Sequence, residues 1–149
     1  MRLFFYFVLL LITLGCRNTP AAYTVFKPVG EDGWHADEAM HFEVDSVMAQ
    51  QLGVVQLHVR MHQMVRYPYK NIIVEVERWA PGDSSKNVDT LDIQLDHQNS
   101  GVVFAEHTFP VDTLSGNSCA GVQYVVRHLL MPTTLRGVTH VGLSICSED

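Results

Sequence analysis

The chain has 149 residues, the size of one domain. Ten basic against sixteen acidic side chains give a formal charge of −6, with no basic cluster, which excludes a phosphate-binding nucleic-acid surface. Apolar residues at 47% and charged ones at 17% exclude a disordered chain, and three cysteines are too few for a disulfide scaffold.

The first element is an address. Met1-Arg2 precedes an apolar run from Leu3 to Leu14, closed by Gly15-Cys16. About 20 residues are needed to cross a bilayer as a helix, so the run is too short for a permanent span and fits a secretory signal. Thr13-Leu14-Gly15-Cys16 resembles a relaxed bacterial lipobox, in which a small residue precedes the cysteine that is lipidated. The expected division is a lipoprotein signal peptide over 1–15, a lipidated tether over 16–22 and one domain over 23–149. Acyl chains on Cys16 then supply membrane affinity at roughly 0.8 kcal/mol per buried CH₂. The tether Arg17-Asn18-Thr19-Pro20-Ala21-Ala22 carries no acidic run, which favours the periplasmic face of the outer membrane.

Beyond the tether, residues 23–27 read as a strand. Residues 36–51 invite a helix, but Phe42 and Val44 follow a two-residue period, so 41–45 reads as a strand. Residues 54–62 are the clearest case: Val55, Leu57, Val59 and Met61 share one face, Gln56, His58, Arg60 and His62 the other. The same alternation marks 72–78, 88–96 and 138–146, and strands are expected over 102–109 and 121–130. The last is apolar on both faces over part of its length, as a central strand is. Turn chemistry separates these runs: Gly30-Glu31-Asp32-Gly33, Pro81-Gly82-Asp83-Ser84-Ser85, His97-Gln98-Asn99-Ser100-Gly101, Ser115-Gly116-Asn117 and Met131-Pro132. Seven to eight short strands without a long helical pattern predict an all-β fold, a single β-sandwich of immunoglobulin-like or jelly-roll-like form.

Little in the chain points to chemistry. His58 and His62 lie about 13 Å apart along a strand, too far for one zinc, with Arg60 between them. His41 and His128 have no ligand spacing to join them, so the histidines are expected on a solvated surface and no metal is expected. No nucleophile motif or phosphate loop occurs, and the carboxylates Glu75, Glu77, Asp92 and Asp96 alternate with core residues. No catalytic residue, cofactor or small-molecule substrate is expected.

Cys119 and Cys146 both extrapolate to outward faces. A hairpin of 121–130 with 138–146, turning near 132–137, would bring them close. An oxidising envelope then favours a disulfide, and two neighbouring thiols are the alternative. Tyr67-Pro68-Tyr69 has two readings: a proline-set start to the next strand with locally packed tyrosines, or, with Trp34 or Trp79, an aromatic contact platform. Trp34, Tyr67 and Tyr69 are therefore the candidate partner contacts.

Four segments together resemble the gliding-motility lipoprotein GldH family of the Bacteroidota. They are the signal ending at Cys16; Gly33-Trp34-His35-Ala36-Asp37-Glu38 leading to Phe42-Glu43-Val44-Asp45; Tyr67-Pro68-Tyr69-Lys70-Asn71 with Asp89-Thr90-Leu91; and Met131 followed by Leu135-Arg136-Gly137-Val138-Thr139-His140-Val141-Gly142-Leu143-Ser144-Ile145. The resemblance implies a non-enzymatic outer-membrane lipoprotein that supports a gliding and protein-secretion apparatus through contacts with envelope proteins. A membrane-tethered carbohydrate- or ligand-binding β-sandwich is the competing expectation.

Overall fold

The computed structural model describes residues 23–45, 53–62, 70–95, 104–114, 120–131 and 133–146. Among these there is no helix. The strands are β1 (Tyr23–Pro28), β2 (Trp34–His35), β3 (Met40–Glu43), β4 (Gly53–His62), β5 (Asn71–Trp79), β6 (Asn87–Gln94), β7 (Phe104–Leu114), β8 (Gln123–His128), β9 (Thr134–Leu135) and β10 (Val138–Cys146).

Eight of them form two four-stranded antiparallel sheets, in the orders β1-β10-β4-β7 and β3-β8-β5-β6, and β2 pairs with β9. Successive long strands mostly switch sheets. Numbered one to eight in chain order, the long strands interleave as 1-8-3-6 and 2-7-4-5, which is the jelly-roll arrangement of two Greek keys.

The two-residue period explains the core. Val55, Leu57, Val59 and Met61 of β4 and Val141, Leu143 and Ile145 of β10 are buried from one sheet. Phe42, Ile72, Val74, Val76, Ile93, Tyr124 and Val126 meet them from the other. Each branched side chain so buried contributes roughly 1.5–3 kcal/mol. β8 lies between β3 and β5, as its two apolar faces predict.

Two expectations are corrected. β8 and β10 do not form a hairpin; they lie in different sheets, because the chain crosses the sandwich through β9 between them. Strand β7 does not stop before Pro110 but continues to Leu114. It is an edge strand, where a missing N–H is tolerated, and its pairing with β4 shifts register between Val55 and Gln56. The shift moves inward positions from the odd residues of β7 to Asp112 and Leu114.

Strand direction gives the sandwich two distinct ends. Tyr23 pairs with Ile145, Val54 with Cys146, Gly53 with Leu114, and Glu43 and Trp79 both with Gln123. These residues mark the end where β1 begins, named the anchor end after the tether expected before it. The opposite, distal end carries Pro28, His62, Asn71, Phe104 and His128, with the β2–β9 pair. The anchor end is bolted across the sheets. Arg78 of β5 sits 2.8 Å from Asp112 of β7, and the Tyr124 hydroxyl donates to the same carboxylate at 2.7 Å. Burial and that carboxylate push the Tyr124 pKa upward.

Candidate functional site

Trp34 does not serve as an exposed contact. It is 0% exposed, its Nε1 donates to the Glu38 carbonyl at 2.9 Å, and its ring meets His128 edge-on. Placement in β2, covered by the β9 crossing, buries a side chain that the sequence shows only beside turn residues. Its neighbour in the turn is constrained too. Gly33 holds φ +113°, and a Cβ there would come 2.5 Å from the Leu135 carbonyl.

Cys16, Tyr67, Tyr69 and Cys119 lie outside the described residues. Cys146 is a free, half-buried thiol whose Sγ stands 3.5 Å from Gln56 Oε1. β8 and β10 lie in different sheets, so no hairpin brings Cys119 to it.

The histidines are not uniformly solvated. His128 is buried; its Nε2 donates to the Trp34 carbonyl at 3.1 Å, and Nδ1 has no hydrogen-bond partner among the described residues. Burial lowers its pKa, against the raising effect of the Trp34 carbonyl, and His35 lowers it further. Among the described residues, no three His, Cys, Asp or Glu side chains come together as metal ligands.

His58 is also buried, and it centres a cluster on the outer face of the first sheet. Its Nε2 is 2.7 Å from Ser144 Oγ and its Nδ1 2.8 Å from Glu106 Oε1. Arg60 donates to Glu106 Oε2 at 2.7 Å and lies 3.6 Å over the Phe26 ring, which meets His58 edge-on. Burial opposes ionisation of Glu106, but the bonds from Arg60 and His58 outweigh it and hold its carboxyl below the usual range.

Phe26 reaches this face because β10 presents Gly142 beneath it. A Cβ on Gly142 would fall 2.5 Å from the ring. The sequence gives no hint of this burial, since Gln56, His58 and Arg60 alternate like solvated residues.

Serine, histidine and carboxylate stand in the order of a nucleophile, its base and the group that orients the base. The setting does not suit attack on a substrate. Ser144 is 1% exposed and lies mid-strand, paired with Thr24 on one side and Gln56 on the other. The chain Ser144–His58–Glu106 acts as a satisfied polar lock between β10, β4 and β7.

The second sheet presents a more open feature at the anchor end. Trp79 is 40% exposed beside a groove of about 270 Å³ walled by Glu77, Ser84, Ser85, Lys86 and Gln123. Lys86 Nζ lies 2.7 Å from Glu77, and Arg127 also binds Glu77. Those two cations, Lys86 first, hold the Glu77 carboxyl below its ordinary pKa. A further groove of about 400 Å³ opens between edge strands β1 and β3, where Lys27 stands over Phe42. At the distal end Phe104, Leu129 and Met131 are exposed, Met131 by 96%.

Among solved structures, the fold is similar to a chain of Desmodium yellow mottle tymovirus, at 10% identity and TM-score 0.35, covering 89% of this chain and 90% of that one. It is also similar to turnip yellow mosaic virus, at 12% identity and TM-score 0.37, covering 89% and 85%. A cocksfoot mottle virus chain gives 12% identity and TM-score 0.34, covering 87% and 84%. The jelly-roll assignment rests on the strand order described above. Among curated proteins, none matches this sequence. The family model described as GldH lipoprotein matches residues 21–145, nearly the whole β-sandwich, and the chain belongs to that family of gliding-motility-associated, membrane-anchored lipoproteins.

Proposed function

We propose that this lipoprotein is a non-enzymatic outer-membrane component, facing the periplasm, that supports a gliding-motility and protein-secretion assembly through protein contacts at its distal end. The observation that carries this reading is the opposition of two ends. Strand β1 begins at one, and Phe104, Leu129 and Met131 stand exposed at the other. Large apolar side chains exposed at one end favour burial against a partner. A seven-residue tether at 3.3–3.6 Å per residue reaches about 25 Å at most, so the anchor end stays near the bilayer. Lipid on Cys16 fixes the orientation.

The test is complementation of a deletion strain of the source organism. The wild-type gene is expected to restore surface spreading and secretion. Leu129→Asp with Met131→Asp is expected to fail at both, although the protein reaches the outer membrane at normal levels. Full restoration by that variant would remove the distal end from the reading. A fatty-acid probe is expected to label the wild type and miss Cys16→Ser; equal labelling of both would overturn the anchor.

A further inference from the structure

We propose that the groove beside Trp79 is a saccharide-binding site, in which a pyranose ring stacks on the indole and its hydroxyls meet Glu77, Ser84, Ser85, Lys86 and Gln123. The site lies at the end opposite to Leu129 and Met131 and stands independently of the partner reading.

A pyranose has an apolar C–H face and a polar rim, so it asks for an aromatic plane bordered by hydrogen-bonding groups. The sandwich supplies both. Trp79 is 40% exposed on the outer face of the second sheet, although a fully apolar role would bury it. Register sets Gln123 directly beside it on β8. Glu77 lies two residues back on the same face, about 7 Å away along the strand. The β5–β6 connection places Ser84, Ser85 and Lys86 along another side, and His41 and Val125 complete the wall.

One member of the polar rim, Glu77, is paired before any ligand arrives. Glu77 is held between Lys86 and Arg127, so its carboxylate offers acceptor lone pairs from one set position. Lys86 is oriented by the same pair while its ammonium keeps further donors. Preorganised donors and acceptors lower the ordering cost of binding a small polar ligand.

Other ligands fit less well. The chain is acidic and the groove's one lysine is already paired, which disfavours a phosphate-rich polymer. The hairpin tip of Gly82, Asp83, Ser84 and Ser85 is exposed and polar, which disfavours insertion into lipid. A volume of about 270 Å³ is at the small end of ligand pockets and suits a short stretch of sugar rather than a large aglycone.

The chain contains two tryptophans, and Trp34 is fully buried, so a ligand-induced emission change reports Trp79. The full-length lipidated protein, held in a detergent without a sugar headgroup, is titrated with two neutral tetrasaccharides. One is β-1,4-linked glucose and the other β-1,4-linked N-acetylglucosamine. At least one is expected to give a saturable emission change; preference between them tells whether the acetamido group is read. Trp79→Ala is expected to weaken binding, measured by calorimetry, by about tenfold or more, with an unchanged melting temperature. Trp79→Phe keeps a ring face and is expected to retain binding. Lys86→Ala weakens it. No saturable signal from either sugar up to about 10 mM, or unchanged affinity in Trp79→Ala, overturns the proposal.

Discussion

Ser144 Oγ and His58 Nε2 stand 2.7 Å apart on neighbouring strands, 86 residues apart in sequence. The contact joins β10 to β4 on the outer face of a sheet whose inner face is the core, and Glu106 extends it to β7. Three of the four strands of the first sheet thus share one polar chain.

Because Ser144 is shut in, an active-serine phosphonate probe is expected to leave the native protein unlabelled. Stoichiometric labelling that disappears in Ser144→Ala would make the chain a hydrolase. His58→Ala removes the centre of the lock and leaves Ser144 buried without its partner. Ser144 Oγ then keeps only its 3.7 Å contact with Cys146 Sγ, and the change is expected to cost about 1–3 kcal/mol of stability, read from denaturant melts.

Gly142 and Phe26 are matched as space and filler. Gly142→Ala pushes a methyl group into the ring and is expected to destabilise by about 1–3 kcal/mol. Adding Phe26→Leu in the same chain frees that space, so the double variant is expected to lose less than the sum of the single changes. Simple additivity in that cycle would refute the contact.

Acid sensitivity has a definite starting point. The unfolded His128 titrates near 6.5, whereas burial lowers its folded value, so the unfolded state takes up the proton first. Its contribution is full above about pH 6.5 and is lost as pH falls from there through the folded value. Glu77 and Glu106, both lowered in the fold, lose theirs only as pH drops below about 4.3. His128→Gln keeps a donor for the Trp34 carbonyl. It is expected to flatten the fall in melting temperature between about pH 7 and pH 5. An unchanged slope would place the sensitivity elsewhere.

Trp34 gives a direct measure of its burial. Trp34→Ala is expected to cost about 3–5 kcal/mol, as truncation of a large buried aromatic does. A nearly unchanged melt would return Trp34 to the surface.

The eight long strands were legible, five of them because apolar residues recur at every second position against one core. Val55 to Met61 and Val141 to Ile145 show why: the inward set is continuous and the outward set is polar or small. Sheet assignment was not legible. Whether β10 pairs with β8 or with β4 depends on the crossover through β9, and local pattern carries no information about partners so distant. The His58 cluster was hidden for the same reason. A polar residue on an outward face reads as solvated until a remote side chain, here Phe26 over Gly142, covers the strand beside it. Trp34 was misread because its cover comes from β9, a hundred residues later in the chain.

The strand directions bear on mechanical load. β1 starts at the anchor end and runs toward the distal end, paired on one side with β10 through six residues. Antiparallel hydrogen bonds lie perpendicular to the strands. A pull on the tether, resisted at the far end of the sandwich, therefore runs along β1 and across its bonds. They are strained together in shear and are not peeled apart one by one from an end. A domain held through the start of β1 resists longest when pulled in that direction.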